Sequence, residues 1–142
     1  MLTGCDLHVL ARHAHQKVLL ENRKIKLITE NAIEPRHWDA VVEATGSASG
    51  FDLARQAIRP QGMLVLKSTY LGEMKLIWSP FVVDEITIVG SRCGPFAPAL
   101  RLLESGTVDP AVLIAAQYPL ANALEAMAAA QKPGLLKVLL KP

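Results

Sequence analysis

Residues 38–69, WDAVVEATGSASGFDLARQAIRPQGMLVLKST, constrain this chain more than any other stretch. An apolar run, Asp39–Ala44, closes on Thr45-Gly46. A turn rich in Ser and Gly follows, then a helix over Phe51–Ile58 that Arg59-Pro60 and Gly62 bring to an end. A second apolar run, Met63–Leu66, closes on Ser68-Thr69. A strand, a helix and a second strand in this order call for a parallel sheet with right-handed crossovers. Asp39–Ala44 lacks strict alternation, which suits a strand buried on both faces.

The same grammar recurs along the chain. Asp6–Ala11 reads as a strand, His13–Asn22 as a helix and Lys26–Thr29 as a second strand. Residues 30–37 are loop or a helical turn, and 70–84 form a long connection containing Trp78, Pro80 and Phe81. Glu85–Val89 is a strand rich in β-branched residues, and Pro98–Glu104 is a helix with Gly106 placed to end it. Pro119–Gln131 reads as a helix with Pro in its first turn and Pro133-Gly134 beyond its end. Its core face is Leu120, Ala123, Leu124 and Met127, and Leu135–Leu140 is a last strand. Strands alternating with helices define an α/β fold: a parallel, three-layer sheet in one domain spanning 1–142.

The chain has 142 residues and a net charge of +2, too small to argue for nucleic acid. Its densest basic cluster, Arg23-Lys24-Ile25-Lys26, reads as a solvated loop rather than a phosphate-binding patch. No apolar run is long enough to cross a membrane, and the first residues lack a secretory pattern. Cys5 and Cys93, far apart in the sequence, read as partly buried thiols of a reduced, cytoplasmic protein.

In parallel sheets, ligands bind beyond the carboxyl ends of the strands. Here those ends carry Arg12-His13, Thr45-Gly46-Ser47, Lys67-Ser68-Thr69 and Gly90-Ser91-Arg92-Cys93-Gly94. Glycine admits close approach to the backbone and hydroxyls supply hydrogen bonds, so these ends outline a cleft. The plainer alternative is that such loops are polar in any case.

The strings VVEATGSASGFDLARQAIRPQGMLVLKST, VVDEITIVGSRCGPFAPALRLLESGTVD, YPLANALEAM and LKVLLKP, in this order, resemble the C-terminal part of the zinc-type (medium-chain) alcohol dehydrogenases. The resemblance covers essentially the whole chain. It implies a Rossmann domain holding NAD or NADP. By position, Arg12 falls where the family reads the adenosine ribose, and a guanidinium there favours the 2′-phosphate of NADP. Thr45 and Gly46 would lie on the adenosine and ribose side. Ser68, Thr69, Ser91 and Arg92 would approach the nicotinamide, mainly through their backbones. The resemblance also implies a homodimer through the 85–89 edge strand and the stretch around Leu76-Ile77-Trp78; the alternative is that Trp78 and Phe81 pack on their own domain.

The departures from the family carry as much weight. No G-x-G-x-x-G occurs in the chain, and Leu2-Thr3-Gly4 resembles the end of the helix that follows that turn. The sequence therefore reads as truncated relative to the family, without the central first strand. Asp6–Ala11 and Asp39–Ala44 would flank that strand, and their free inner edges would be costly if buried. Direct pairing of the two is the expected closure; a strand from another chain or partial unfolding are the alternatives.

Cys5, His8, His13, His15, His37 and Cys93 are the candidate zinc donors, but their spacing does not converge on one ion, and no metal site is expected. Gly46-Ser47-Ala48-Ser49-Gly50 has Ala where a nucleophile elbow needs Ser. Ser49 reads instead as the cap of the next helix, with Asp52 as a weak capping-box partner. Glu43, Asp84 and Glu85 show no acid–base pairing, and no catalytic residue is expected. Two readings follow: a truncated cofactor-binding domain of an NAD(P)-dependent alcohol dehydrogenase-like oxidoreductase, inactive on its own, or a non-catalytic α/β dimerisation or binding module.

Overall fold

A computed structural model describes residues 4–70, 72–132 and 134–142. Leu2, Thr3 and Pro133, which figure in the expectations above, lie outside the described residues. In chain order the elements are β1 (His8–Val9), α1 (Ala14–Asn22), β2 (Lys26–Leu27), β3 (Trp38–Glu43), α2 (Ala48–Ala57), β4 (Ile58–Leu66) and α3 (Ser79–Val83). There follow β5 (Thr87–Gly90), α4 (Phe96–Glu104), β6 (Ile114–Pro119), α5 (Ala123–Ala130) and β7 (Lys137–Lys141). The described chain separates into two compact units: Met1–Leu10 with Lys26–Cys93, and Ala11–Ile25 with Gly94–Pro142.

The first unit contains the predicted crossover. β3, β4 and β5 form a parallel sheet in that order, with Glu43 beside Leu66 and Leu66 beside Gly90 at the carboxyl end. β5 is its edge strand, as expected. The core gathers Phe51 and Ala54 of α2, Ile58 and Leu64 of β4, and Phe81 of α3. Fully burying a side chain such as Phe51 or Leu64 contributes roughly 1.5–3 kcal/mol. Only one face of β3 is covered: Val41 and Glu43 turn inward, while Val42 between them is exposed. The expectation of a strand buried on both faces does not hold here, because α2 and α3 pack on the same side as Phe51 and Phe81.

β4 starts five residues earlier than predicted, directly after α2. Its opening residues bulge between the Trp38–Ile58 and Ala40–Met63 pairs. Gly62 allows this, since a Cβ there would lie 2.6 Å from Ile58 Cγ1 and 2.8 Å from the Arg59 carbonyl.

Direct pairing of the first and third predicted strands is not found. β1 pairs in parallel with β2, His8 beside Lys26 and Val9 beside Leu27, and not with β3. Side chains meet instead: the His8 and Trp38 rings stand edge to face, 4.8 Å between centroids. β1 has only two residues, too short to extend a ladder, and Asp39, Ala40 and Val42 are exposed, so water can satisfy the uncovered edge of β3.

In the second unit β6 and β7 pair in parallel. Residues 114–119 were not expected to be a strand, and the predicted helix start at Pro119 is instead the end of β6. A 3-10 turn, Leu120–Asn122, leads into α5. The predicted core face of that helix is also corrected: Leu124 is 84% and Met127 63% exposed, whereas Ala126 and Ala129 are buried. Small alanines let α5 lie close on β7 while the larger side chains point away. Gly106 ends α4 in the left-handed conformation, as the sequence implies.

Candidate functional site

The parallel register of β3, β4 and β5 brings three carboxyl ends to one edge of the first unit. Beyond them lie Thr45-Gly46-Ser47, Lys67-Ser68-Thr69 and Ser91-Arg92. The ends are tied together. The Lys67 amide donates to the Glu43 carbonyl at 2.9 Å and the Ser91 amide to the Leu66 carbonyl at 2.9 Å, which continues the ladder past its last strand residues. The Lys67 ammonium donates to the Arg92 carbonyl. The Gly46 amide donates to Ser68 Oγ at 2.8 Å, joining the turn after β3 to the loop after β4.

Below this edge sits Glu43, only 2% exposed. Its Oε1 accepts from the Thr45 amide at 2.5 Å, the Thr45 hydroxyl at 2.6 Å and the Gly46 amide at 3.2 Å. Its Oε2 accepts from the Tyr70 phenol. Burial by itself would raise the Glu43 carboxyl. Hydrogen bonds from the Thr45 hydroxyl, Tyr70, the Thr45 amide and Ser68 outweigh it and hold the carboxyl below its ordinary range. Burial, then the Glu43 hydrogen bond and charge, push the Tyr70 phenol well above its ordinary value. The two shifts run in opposite directions, so the hydrogen bond favours the charged carboxyl and the neutral phenol.

The turn is packed from the helix side as well. A Cβ on Gly50 would lie 1.9 Å from Thr45 Oγ1, so the first turn of α2 can approach Thr45 only with glycine there. Ser47, not Ser49, caps α2: its hydroxyl accepts from the Gly50 amide at 3.2 Å. Gly46 has φ of 67°, and the space where a Cβ would stand is open. The edge thus presents an uncovered glycine face, and Thr69, Ser91 and Arg92 are exposed around the loops.

Of the residues picked out by sequence, Thr45, Gly46 and Ser68 come together in one hydrogen-bonded group, with Ser91 and Arg92 tied to the same edge. Thr69 lies next to Ser68 on that edge. Arg12 is exposed and belongs to the second unit. The amides of Thr45, Gly46 and Ser91 already donate inside the protein. Glu43 and Tyr70 were missed. A carboxylate closing an apolar strand just before Thr-Gly was the available signal for Glu43; Tyr70 lies 27 positions on and gave none.

Zinc does not fit the donors present. Among the described residues no three His, Cys, Asp or Glu side chains gather as metal ligands. His13 and His15 stack with 5.6 Å between ring centroids rather than converging on an ion. Cys5 and Cys93 are exposed, not partly buried as expected. No described helix is long and apolar enough to cross a membrane.

No family model matches the sequence. D-arabinitol dehydrogenase 1 of Uromyces fabae is 32% identical over 112 residues, 76% of this chain and 32% of that protein. An alcohol dehydrogenase of Cupriavidus necator is 27% identical over 143 residues, 94% of this chain and 39% of that one. Among solved structures, a thermostable alcohol dehydrogenase from Pyrobaculum aerophilum superposes with a TM-score of 0.81 at 26% identity, over 99% of this chain and 44% of that chain. A protein from Sinorhizobium meliloti 1021, provisionally described as a zinc-binding dehydrogenase and solved with NADP, shares the fold with a TM-score of 0.82 at 20% identity, over 99% of this chain and 46% of that one. The chain spans about a third to two fifths of the length of the curated relatives it matches.

Proposed function

We propose, for a chain that resembles the zinc-type (medium-chain) alcohol dehydrogenases in sequence and in fold, that it forms part of the cofactor-binding region of an NAD(P)-dependent oxidoreductase. In the complete enzyme the reaction would be hydride transfer between an alcohol and a carbonyl. The observation that carries this reading is the join between Gly46 and Ser68 at the carboxyl ends of adjacent parallel strands, with the Gly46 face open beside it. A dinucleotide lying there would pack its adenosine and ribose over Thr45 and Gly46. It would meet Ser68, Thr69, Ser91 and Arg92 toward the nicotinamide. Since several of these amides donate internally, packing and side-chain hydroxyls supply more of the contact than backbone donors do.

Arg12 keeps its place in this reading through the resemblance alone, and it favours NADP over NAD. In this reading none of the chain's residues acts as catalyst, and the chain by itself is expected to be inactive toward alcohols. It lacks a G-x-G-x-x-G loop, so its own affinity for a dinucleotide is weak. A cytoplasmic location follows from the same reading. Fluorescence titration through Trp38 and Trp78 tests it: saturable quenching by NADPH near roughly millimolar concentration, weaker with NADH, is expected. Substituting Arg12→Ala should erase the preference for NADPH. Oxidation of an alcohol by the purified chain would overturn the claim that it holds no catalytic residue.

A second reading, a non-catalytic dimerisation module, draws on one observation. Ile77, Trp78, Val82 and Val83, in the stretch that leads into the edge strand β5, are exposed. The two readings are compatible if the pair forms through residues 85–89, and they separate if dimers form while no dinucleotide binds.

A further inference from the structure

We propose that Glu43 is a positioning residue, whose buried carboxylate sets the shape of the Thr45-Gly46-Ser47 turn that faces the nucleotide. The inference rests on the cofactor reading above and adds a residue that neither the family motif nor the cleft residues supply. Glu43 cannot touch a ligand itself, being 2% exposed. Nor does the sheet shape the turn. The last ladder bond runs from Lys67 to Glu43, and Thr45–Ser47 lies beyond it.

What holds the turn is side chains. One carboxylate oxygen gathers two successive amides and the hydroxyl between them, an arrangement that charge makes strong. Thr45 Oγ1 passes this order on: it donates to Glu43, accepts from the Ser47 amide at 3.2 Å, and rests on Gly50. Tyr70 holds the other oxygen and so fixes the plane of the carboxylate. Among the described residues Tyr70 is the titratable group that faces Glu43. The consequence is a turn whose amides face the protein and whose glycine face is left outward and clear.

The test is amide exchange in the whole chain, followed by NMR, with and without NADPH. In Glu43→Ala the exchange of Thr45 and Gly46, taken relative to Val65 in β4, should rise by about tenfold or more. Leu64→Ala weakens the same core without touching the carboxylate and should leave that ratio unchanged. Glu43→Gln should rescue most of the effect, because its amide oxygen still accepts from the turn and its NH2 can face the Tyr70 oxygen. With NADPH, shifts at Thr45–Ser47 should need about tenfold more cofactor in Glu43→Ala than in the wild type, and within about threefold in Glu43→Gln. An unchanged ratio in Glu43→Ala, or an equal rise in Leu64→Ala, overturns the inference while leaving the cofactor reading intact. Absence of any NADPH shift at the turn in the wild type overturns the cofactor reading, and the cofactor half of this inference with it.

Discussion

Glu43 and Asp84 are the buried carboxylates among the described residues, and they occupy opposite ends of one sheet. Glu43 organises the carboxyl end. Asp84, just ahead of β5, accepts from Arg36 at 2.7 Å and Arg55 at 2.9 Å, and Arg55 also lies over the Phe81 ring at 5.3 Å. The Asp84 group joins the approach to β3, the helix α2 and the approach to β5, so it is a staple of the fold and not part of the site. Removing Asp84 by substitution with Ala leaves two guanidinium groups without their partner. Because Arg36 is half exposed, the expected cost is about 2–4 kcal/mol by urea denaturation, somewhat below that of a fully buried pair. Gly50→Ala drives a methyl into Thr45 and should cost about 1–3 kcal/mol. The pH dependence of Glu43 has a definite sign. Its folded-state value lies below the unfolded one, so its stabilisation is complete above the unfolded value and disappears as pH falls through the folded one. Acid titration of stability should therefore be steeper in the wild type than in Glu43→Gln. Little of this was legible in the sequence, because Glu43–Tyr70 and Asp84–Arg36 join residues far apart in the chain. Only the neighbours Thr45 and Gly46 lay within reading distance.

At the scale of elements, the crossover β3–α2–β4 was legible because both signals agree: apolar runs of strand length and a helix stopped before Pro60-Gly62. Three elements are less legible. Residues 70–84 read as connection, yet Pro80 in the first turn of α3 marks a helix start. β6 alternates strictly in burial from Ile114 to Pro119, but the sequence does not show it, since Ala115 and Ala116 are identical and face opposite ways. In α5 the largest side chains suggest one apolar stripe, but an alanine-rich helix offers two such stripes. Ala126 and Ala129 won because close approach to β7 excludes bulk. Leu124→Ala should therefore change stability by less than about 0.5 kcal/mol, whereas Ala126→Leu should cost about 1–3 kcal/mol. Thermal or urea unfolding of the two variants checks the assignment, and the reverse ranking would place the core on the other stripe.

For the whole molecule, the parallel pairs β1–β2 and β3–β4–β5 match the halves of the order 3-2-1-4-5-6 that lie either side of a first strand. This is why the fold superposes on dehydrogenases at TM-scores near 0.8 although β1 and β3 share no hydrogen bonds. The open edge at β5, with Trp78 exposed nearby, leads to a prediction about assembly. Sedimentation should show a dimer that Val89→Lys, placing a charge on the edge strand, converts to monomer. A dimer that persists in this variant would move the interface elsewhere. The central claim, that a dinucleotide lies across the carboxyl ends of β3, β4 and β5, is tested most directly by mapping NADPH-induced NMR shifts over the wild-type chain. Saturable shifts confined to Thr45–Ser47, Ser68–Thr69 and Ser91–Arg92 are the predicted result. Shifts clustered instead at the far end of the sheet, around Arg36, Gln61 and Asp84, would contradict it.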